Sequence, residues 1–322
     1  MGACLSTGAT STAPIIEQQG PVTMAQTFCR GPITANGSGK SLTPEELAEV
    51  KKELEEFKQK TGFKEPVRSF MGESDTKWRF GGPPDYSLTN FMYLKQRTKA
   101  HAEGSLEQVV ENLVKTWEME RSHKVDASQH QTVEAQRFRI SANGWHKYSN
   151  EEAQQVGNYN VLMHGCAAEV WDRENISWQE SHEKFHTAFA AFPWEVLEVF
   201  SGPPTVAFSW RHWAHFTGTY DGIQGSGELV ELFGFGTATV NEKLQLVDVN
   251  IYHKPEEFLQ VLKGQKPASD LERAKSVMGP GCPFMQRQQS GTGSGCPFLK
   301  GQLESKEDSK IESEMPDALL AA

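Results

Sequence analysis

Residues 181–186 read Ser-His-Glu-Lys-Phe-His, so His182, Glu183 and His186 form H-E-x-x-H. On a helix this spacing sets two imidazoles on one face as zinc ligands and supplies a glutamate as general base. The surroundings argue for a plainer reading. Phe189 stands three residues after His186, so the Gly-x-x-His extension is missing, and beyond Pro193 the pattern turns to strand, leaving no nearby helix to offer a third ligand. Two ligands fall short of a zinc site. The expectation is a short helix laid over a sheet, its histidines at the edge of an apolar stripe, with no resident metal.

A second constellation lies further on. With the period of two of a strand, Trp210, His212, Ala214 and Phe216 share one face, and Arg211, Trp213 and His215 share the other. On a later segment Leu246, Asp248, Asn250 and Tyr252 fall together, opposite Val247, Val249 and Ile251. If the polar set faces a cavity, His212 and Asp248 can act as general base and orienting carboxylate, with Trp210, Phe216, Asn250 and Tyr252 as the wall. The alternative is that Asp248 and Asn250 are solvated on the outer face of the sheet.

The ends carry their own chemistry. The chain begins MGACLS, in which Gly2 and Ser6 satisfy the N-myristoylation pattern and Cys4 can take a palmitoyl chain. Two acyl chains give the stable membrane attachment that one does not. Near the other end, Cys282 and Cys296 each precede Pro-Phe in a Gly/Ser/Gln-rich stretch. Such Cys-Pro pairs resemble haem-regulatory motifs with an axial thiolate; the rival reading is two similar linear segments in a tail that cannot build a core. No other cofactor is expected.

These residues need elements to position them. Thr43, Pro44 and Glu46 form the start signal of a helix running to Gly62. Ser105 caps a second, with Val109, Val110, Leu113, Val114 and Trp117 as its buried stripe, and Ser149 starts a third. Residues 135–142 alternate like a strand, and after Pro193 four long strands follow over 194–204, 205–218, 227–240 and 244–253, with Gly234 and Gly236 suited to a bend. Helices followed by an antiparallel run give an α+β fold with helices on one face of a curved sheet. The organisation expected is a tether over 1–40, a helix over 41–64, a main domain over 65–263 and a tail over 264–322. A net charge of −10 argues against a nucleic-acid partner, and five scattered cysteines without C-x-x-C argue for a reducing compartment.

The segments WRFGGPPDY, GSLEQVVENLVKTWEME, QQVGNYNVL, WEVLEVFSGPPTVAFSWRHW and GELVELFGFGTATVNEKLQL resemble the plant and fungal pathogen-related proteins, of the SnoaL-like group within the nuclear transport factor 2-like superfamily. The resemblance runs from about Glu65 to Lys263 and leaves out the H-E-x-x-H segment. It implies a cone-shaped α+β domain with a pocket at its wide end. Polyketide-cyclase-like members carry Trp-x(5)-His-Thr-Gly-x-Phe-x-Gly; here Trp210 is followed by Phe216, Thr217, Gly218, Tyr220 and Gly222, with Phe216 at the histidine position. His215 is adjacent, but one residue along a strand points to the other face.

The expected function is a cytoplasmic, membrane-tethered protein that binds a small apolar or amphipathic molecule in stress or defence, with self-association through the sheet open. The alternatives are a dehydratase, isomerase or cyclase using His212 and Asp248, and a haem-responsive protein acting through Cys282 and Cys296.

Overall fold

The computed structural model describes residues 42–268. Gly2, Cys4, Cys282 and Cys296 lie outside the described residues.

The first helix, α1 (Pro44–Thr61), starts on a capping box between Thr43 and Glu46 and stops at Gly62 in the left-handed conformation. A second, α2 (Ser87–Gln96), follows the Gly-Gly-Pro-Pro break; it has no side-chain cap and carries no clean sequence signal. Helix α3 (Leu106–His123) is capped by Ser105. Strand β1 (Arg139–Ala142) precedes a helix started by Ser149 and broken at Gly157 into α4 (Asn150–Val156) and α5 (Asn158–Leu162). Helix α6 (Trp178–Ala188) carries the H-E-x-x-H residues. The long strands are β2 (Trp194–Ser201), β3 (Thr205–Phe216), β6 (Glu228–Val240) and β7 (Leu246–His253), with a small hairpin of β4 (Thr219–Tyr220) and β5 (Ile223–Gln224) between β3 and β6. A last helix, α7 (Pro255–Leu262), uses Pro255 in its first turn.

The curved sheet has the order β1-β7-β6-β3-β2. Its long strands are antiparallel, as expected, but β1 joins the edge parallel to β7, reaching it through a long connection that sequence alternation does not specify. Helices α3 to α5 close over the inner face around Phe138, Ile140, Phe208 and Trp210. A second apolar cluster joins α6 and α7 to the far ends of β3 and β6 through Phe185, Phe216 and Phe258. Helices also cover part of the outer face, where Trp213 is buried against Leu54 of α1 and Phe91 and Leu94 of α2. Arg211 lies on the same outer face, held between Glu195 at 2.9 Å and Glu231 at 2.6 Å.

Candidate functional site

The inner face of the sheet is built by alternation. Phe208, Trp210 and His212 of β3 project inward at every second residue, and the two aromatic rings need room on β6. Gly236 and Gly234 stand directly opposite Phe208 and Trp210 in the ladder. A Cβ at Gly234 would lie 2.1 Å from the Trp210 ring, and one at Gly236 would lie 2.8 Å from the Phe208 ring. These glycines therefore let the rings lie across the strand, a more specific role than the bend expected of them. Between this floor and the helices is a cavity of about 230 Å³. Helix α3 lends it Val114, Lys115, Trp117, Glu118 and Ser122, and β7 lends it Val249, Ile251 and His253.

Its polar groups are few and individually placed. On the floor, His212 stacks on Phe192 with ring centroids 3.5 Å apart, and its Nε2–H donates to the Phe192 carbonyl at 2.9 Å. Burial brings its pKa down to about 3, so the ring is neutral and Nδ1 carries the lone pair. His253, 6.0 Å from the Trp210 ring, and His186 of α6 are likewise held neutral by burial, each at about 4. On the helical wall, Glu118 accepts a 3.0 Å hydrogen bond from the Tyr86 hydroxyl, and the Arg68 guanidinium lies 3.7 Å over the Tyr86 ring. Burial raises the Tyr86 and Tyr159 hydroxyls above the ordinary phenol range, with the Glu118 charge adding to it. Lys115 donates to the Trp194 carbonyl and stands 3.7 Å from Glu111; burial lowers it to about 8.

Trp210 and His212 meet on the cavity wall, as their spacing implies. Asp248, Asn250 and Tyr252 do not join them. The ladder pairs Thr239 with Asp248 but Val240 with Leu246, so β7 holds one extra residue at this bulge. Leu246 turns inward with Val249, Ile251 and His253, and the polar set turns outward. Asp248 pairs at 2.5 Å with the half-exposed Lys147, Asn250 bonds Ser141 at 2.8 Å, and Tyr252 is 43% exposed. The His212–Asp248 pair is therefore not formed. Phe216 is inward-facing but is buried in the α6–α7 cluster, away from the cavity wall.

Of the H-E-x-x-H residues, His186 lines the cavity and the other two are taken up structurally. His182 donates from Nδ1 to the Trp178 carbonyl at 2.9 Å and stacks 3.8 Å from the Trp178 ring. The Arg79 guanidinium lies 3.9 Å from the same ring. Two groups that close to one centroid must occupy opposite faces, so Trp178 is held between them. Glu183 is exposed and bonds Gln179 at 2.7 Å. Among the described residues, no three His, Cys, Asp or Glu side chains gather as metal ligands.

Glu118, Tyr86, Arg68 and Lys115 escape the sequence reading, although a signal for some of them exists. Glu111, Lys115, Glu118 and Ser122 recur at spacings of four, three and four on α3, a polar stripe flanking the apolar one. A solvated face gives the same pattern.

No family model matches the chain. Solved structures with some likeness include a protein assigned as a SnoaL-like polyketide cyclase from Jannaschia sp. CCS1, 12% identical, covering 52% of this chain and 99% of that one at a TM-score of 0.30. Another is assigned as a polyketide cyclase from Acidithiobacillus ferrooxidans, 10% identical, covering 52% and 100% at 0.31. A de novo designed curved β-sheet protein covers 52% and 100% at 0.26, with 10% identity. Scores this low carry no argument about the site. A pathogen-related protein of Hordeum vulgare is 36% identical over 229 residues, which span 68% of this chain and 94% of that protein. The chain belongs to the pathogen-related protein family.

Proposed function

We propose that this chain binds a small apolar or amphipathic molecule inside the cone, in stress or defence. The observation that carries the reading is the cavity itself: about 230 Å³, walled by Phe208, Trp210, Trp117, Val249 and Ile251, with only a few polar groups on it. Apolar walls around a few fixed polar groups are the usual make-up of a ligand site. Trp117, Trp194 and Trp210 all border the cavity, so an apolar probe should quench tryptophan fluorescence and raise the melting temperature. At a hundredfold excess over Kd the linkage is about 2.7 kcal/mol. Ala238→Leu adds bulk to the wall and should abolish both effects; equal binding by this variant would refute the cavity as the site.

The proposal extends to two surfaces. Acylation at Gly2 and Cys4 would hold the protein on the cytoplasmic face of a membrane, and Gly2→Ala should move it to the soluble fraction. Among the described residues, no helix is long and apolar enough to cross a membrane. Self-association would use the outer sheet face, where Phe200 (54% exposed), Phe235 and Tyr252 leave aromatic surface uncovered. Phe235→Lys should then shift a dimer to monomer in sedimentation. The enzyme alternative no longer has the His212–Asp248 pair, and the haem alternative at Cys282 and Cys296 lies outside the described residues.

A further inference from the structure

On the floor of the cavity the open polar atom is a hydrogen-bond acceptor. His212 uses its Nε2–H on the Phe192 carbonyl, so a neutral ring must present Nδ1 as a lone pair, and Nδ1 has no partner among the described residues. Unlike the indole nitrogens of Trp117 and Trp210, which are walled off from all open space, Nδ1 is not sealed away. Across the cavity, Glu118 spends one oxygen on the Tyr86 hydroxyl, and its other oxygen has no partner among the described residues. The Lys115 ammonium is committed and Arg68 is partly so. Lys115 donates to the Trp194 carbonyl beside Glu111, and Arg68 donates to Asn90 at 2.8 Å while lying on Tyr86.

We propose that the ligand is an uncharged aromatic or polycyclic alcohol or phenol whose hydroxyl donates a hydrogen bond to His212 Nδ1. This rests on the cavity reading above and narrows it to one chemical class. A ketone or ether of the same shape offers a second acceptor to an acceptor, and both lone pairs lose their water without compensation. A carboxylate at the same place likewise sets lone pairs against Nδ1, and the Lys115 ammonium is already taken up beside Glu111. The aromatic preference follows from the stacked Phe192–His212 pair and the Trp210 ring beside it, which favour a flat face.

Three probes with one naphthalene body separate the possibilities: 2-naphthol, 2-methoxynaphthalene and 2-naphthoic acid, titrated by calorimetry into the full chain at neutral pH. The expected order puts 2-naphthol at least tenfold tighter than 2-methoxynaphthalene, with 2-naphthoic acid the weakest. In His212→Phe, which keeps an aromatic ring against Phe192 but removes the acceptor, the preference for naphthol over 2-methoxynaphthalene should fall below threefold. The wild-type comparison decides without the variant, should the variant fail to fold. Equal binding of naphthol and its methyl ether, or tightest binding of the acid, would overturn the alcohol assignment and leave the cavity reading standing. Binding of none of the three would sink both.

Discussion

Lowering the pH tests whether the buried imidazoles around the cavity are neutral. Seven histidines are depressed by burial; His130, His186 and His253 fall to about 4 and His182 and His212 to about 3, from an ordinary value of 6.5, and His123 and His164 move the same way. A depressed histidine stays neutral in the fold while the unfolded chain takes up the proton. The stability it confers is therefore complete above 6.5 and is lost as the pH falls toward 3 to 4. At about pH 5.5, one unit below the unfolded value, each group costs about 1.4 kcal/mol. Five together come to about 7 kcal/mol, comparable with the 5–15 kcal/mol that holds an ordinary domain together. Urea unfolding followed by circular dichroism at pH 7.5, 6.5 and 5.5 should show the unfolding free energy dropping steeply over the last unit, with about five or more protons taken up. His182→Gln should remove about one of those protons. A change below about 1.5 kcal/mol over that unit would mean the imidazoles are charged or hydrated inside the fold, and the account of His212 as a lone-pair acceptor would go with it.

Other perturbations separate the inner face from the outer. Gly234→Ala drives a Cβ to 2.1 Å from the Trp210 ring and should cost about 3 kcal/mol, read from thermal melts. Asp248→Asn breaks only the partly exposed pair with Lys147, so stability should change by less than about 1 kcal/mol and probe binding not at all; a loss of binding would return Asp248 to the site. Lys124→Met strands Glu120, its fully buried partner at 2.9 Å, and should cost about 3–5 kcal/mol in urea unfolding, whereas an exposed pair would cost almost nothing.

Legibility in this sequence followed the locality of each signal. Capping boxes at Thr43 and Ser149, and the Ser105 cap, are decided within four residues, and each helix begins where its cap says it should. Strands β3 and β6 announced themselves by long alternation, and Trp210 and His212 fell on the shared inner face that period two requires. Helix α2 lacked a cap, and the parallel partner of β1 is a tertiary choice that no local run of residues records.

The site itself was half legible, and the reason is one residue. Period two was applied along β7 from Leu246, which put Asp248 beside His212 in the expected pocket. The bulge at Val240 and Leu246 offsets that count, so Asp248, Asn250 and Tyr252 turn out while Val249, Ile251 and His253 turn in. The outcome agrees with the cost of burial: an inward Asp248 would have lost the ammonium of Lys147 and gained only a histidine already committed through Nε2. Glu118 tolerates the cavity because the Tyr86 hydroxyl meets one of its oxygens and Arg68 and Lys115 line the same wall. These partners come from the segment before α2 and from α3, so the carboxylate that faces the cavity is fixed by how helices meet over the sheet. An alternation pattern on a strand contains no record of that meeting. The inward position of His212, by contrast, follows from the alternation of β3 alone, which is why it reaches the cavity wall and Asp248 does not.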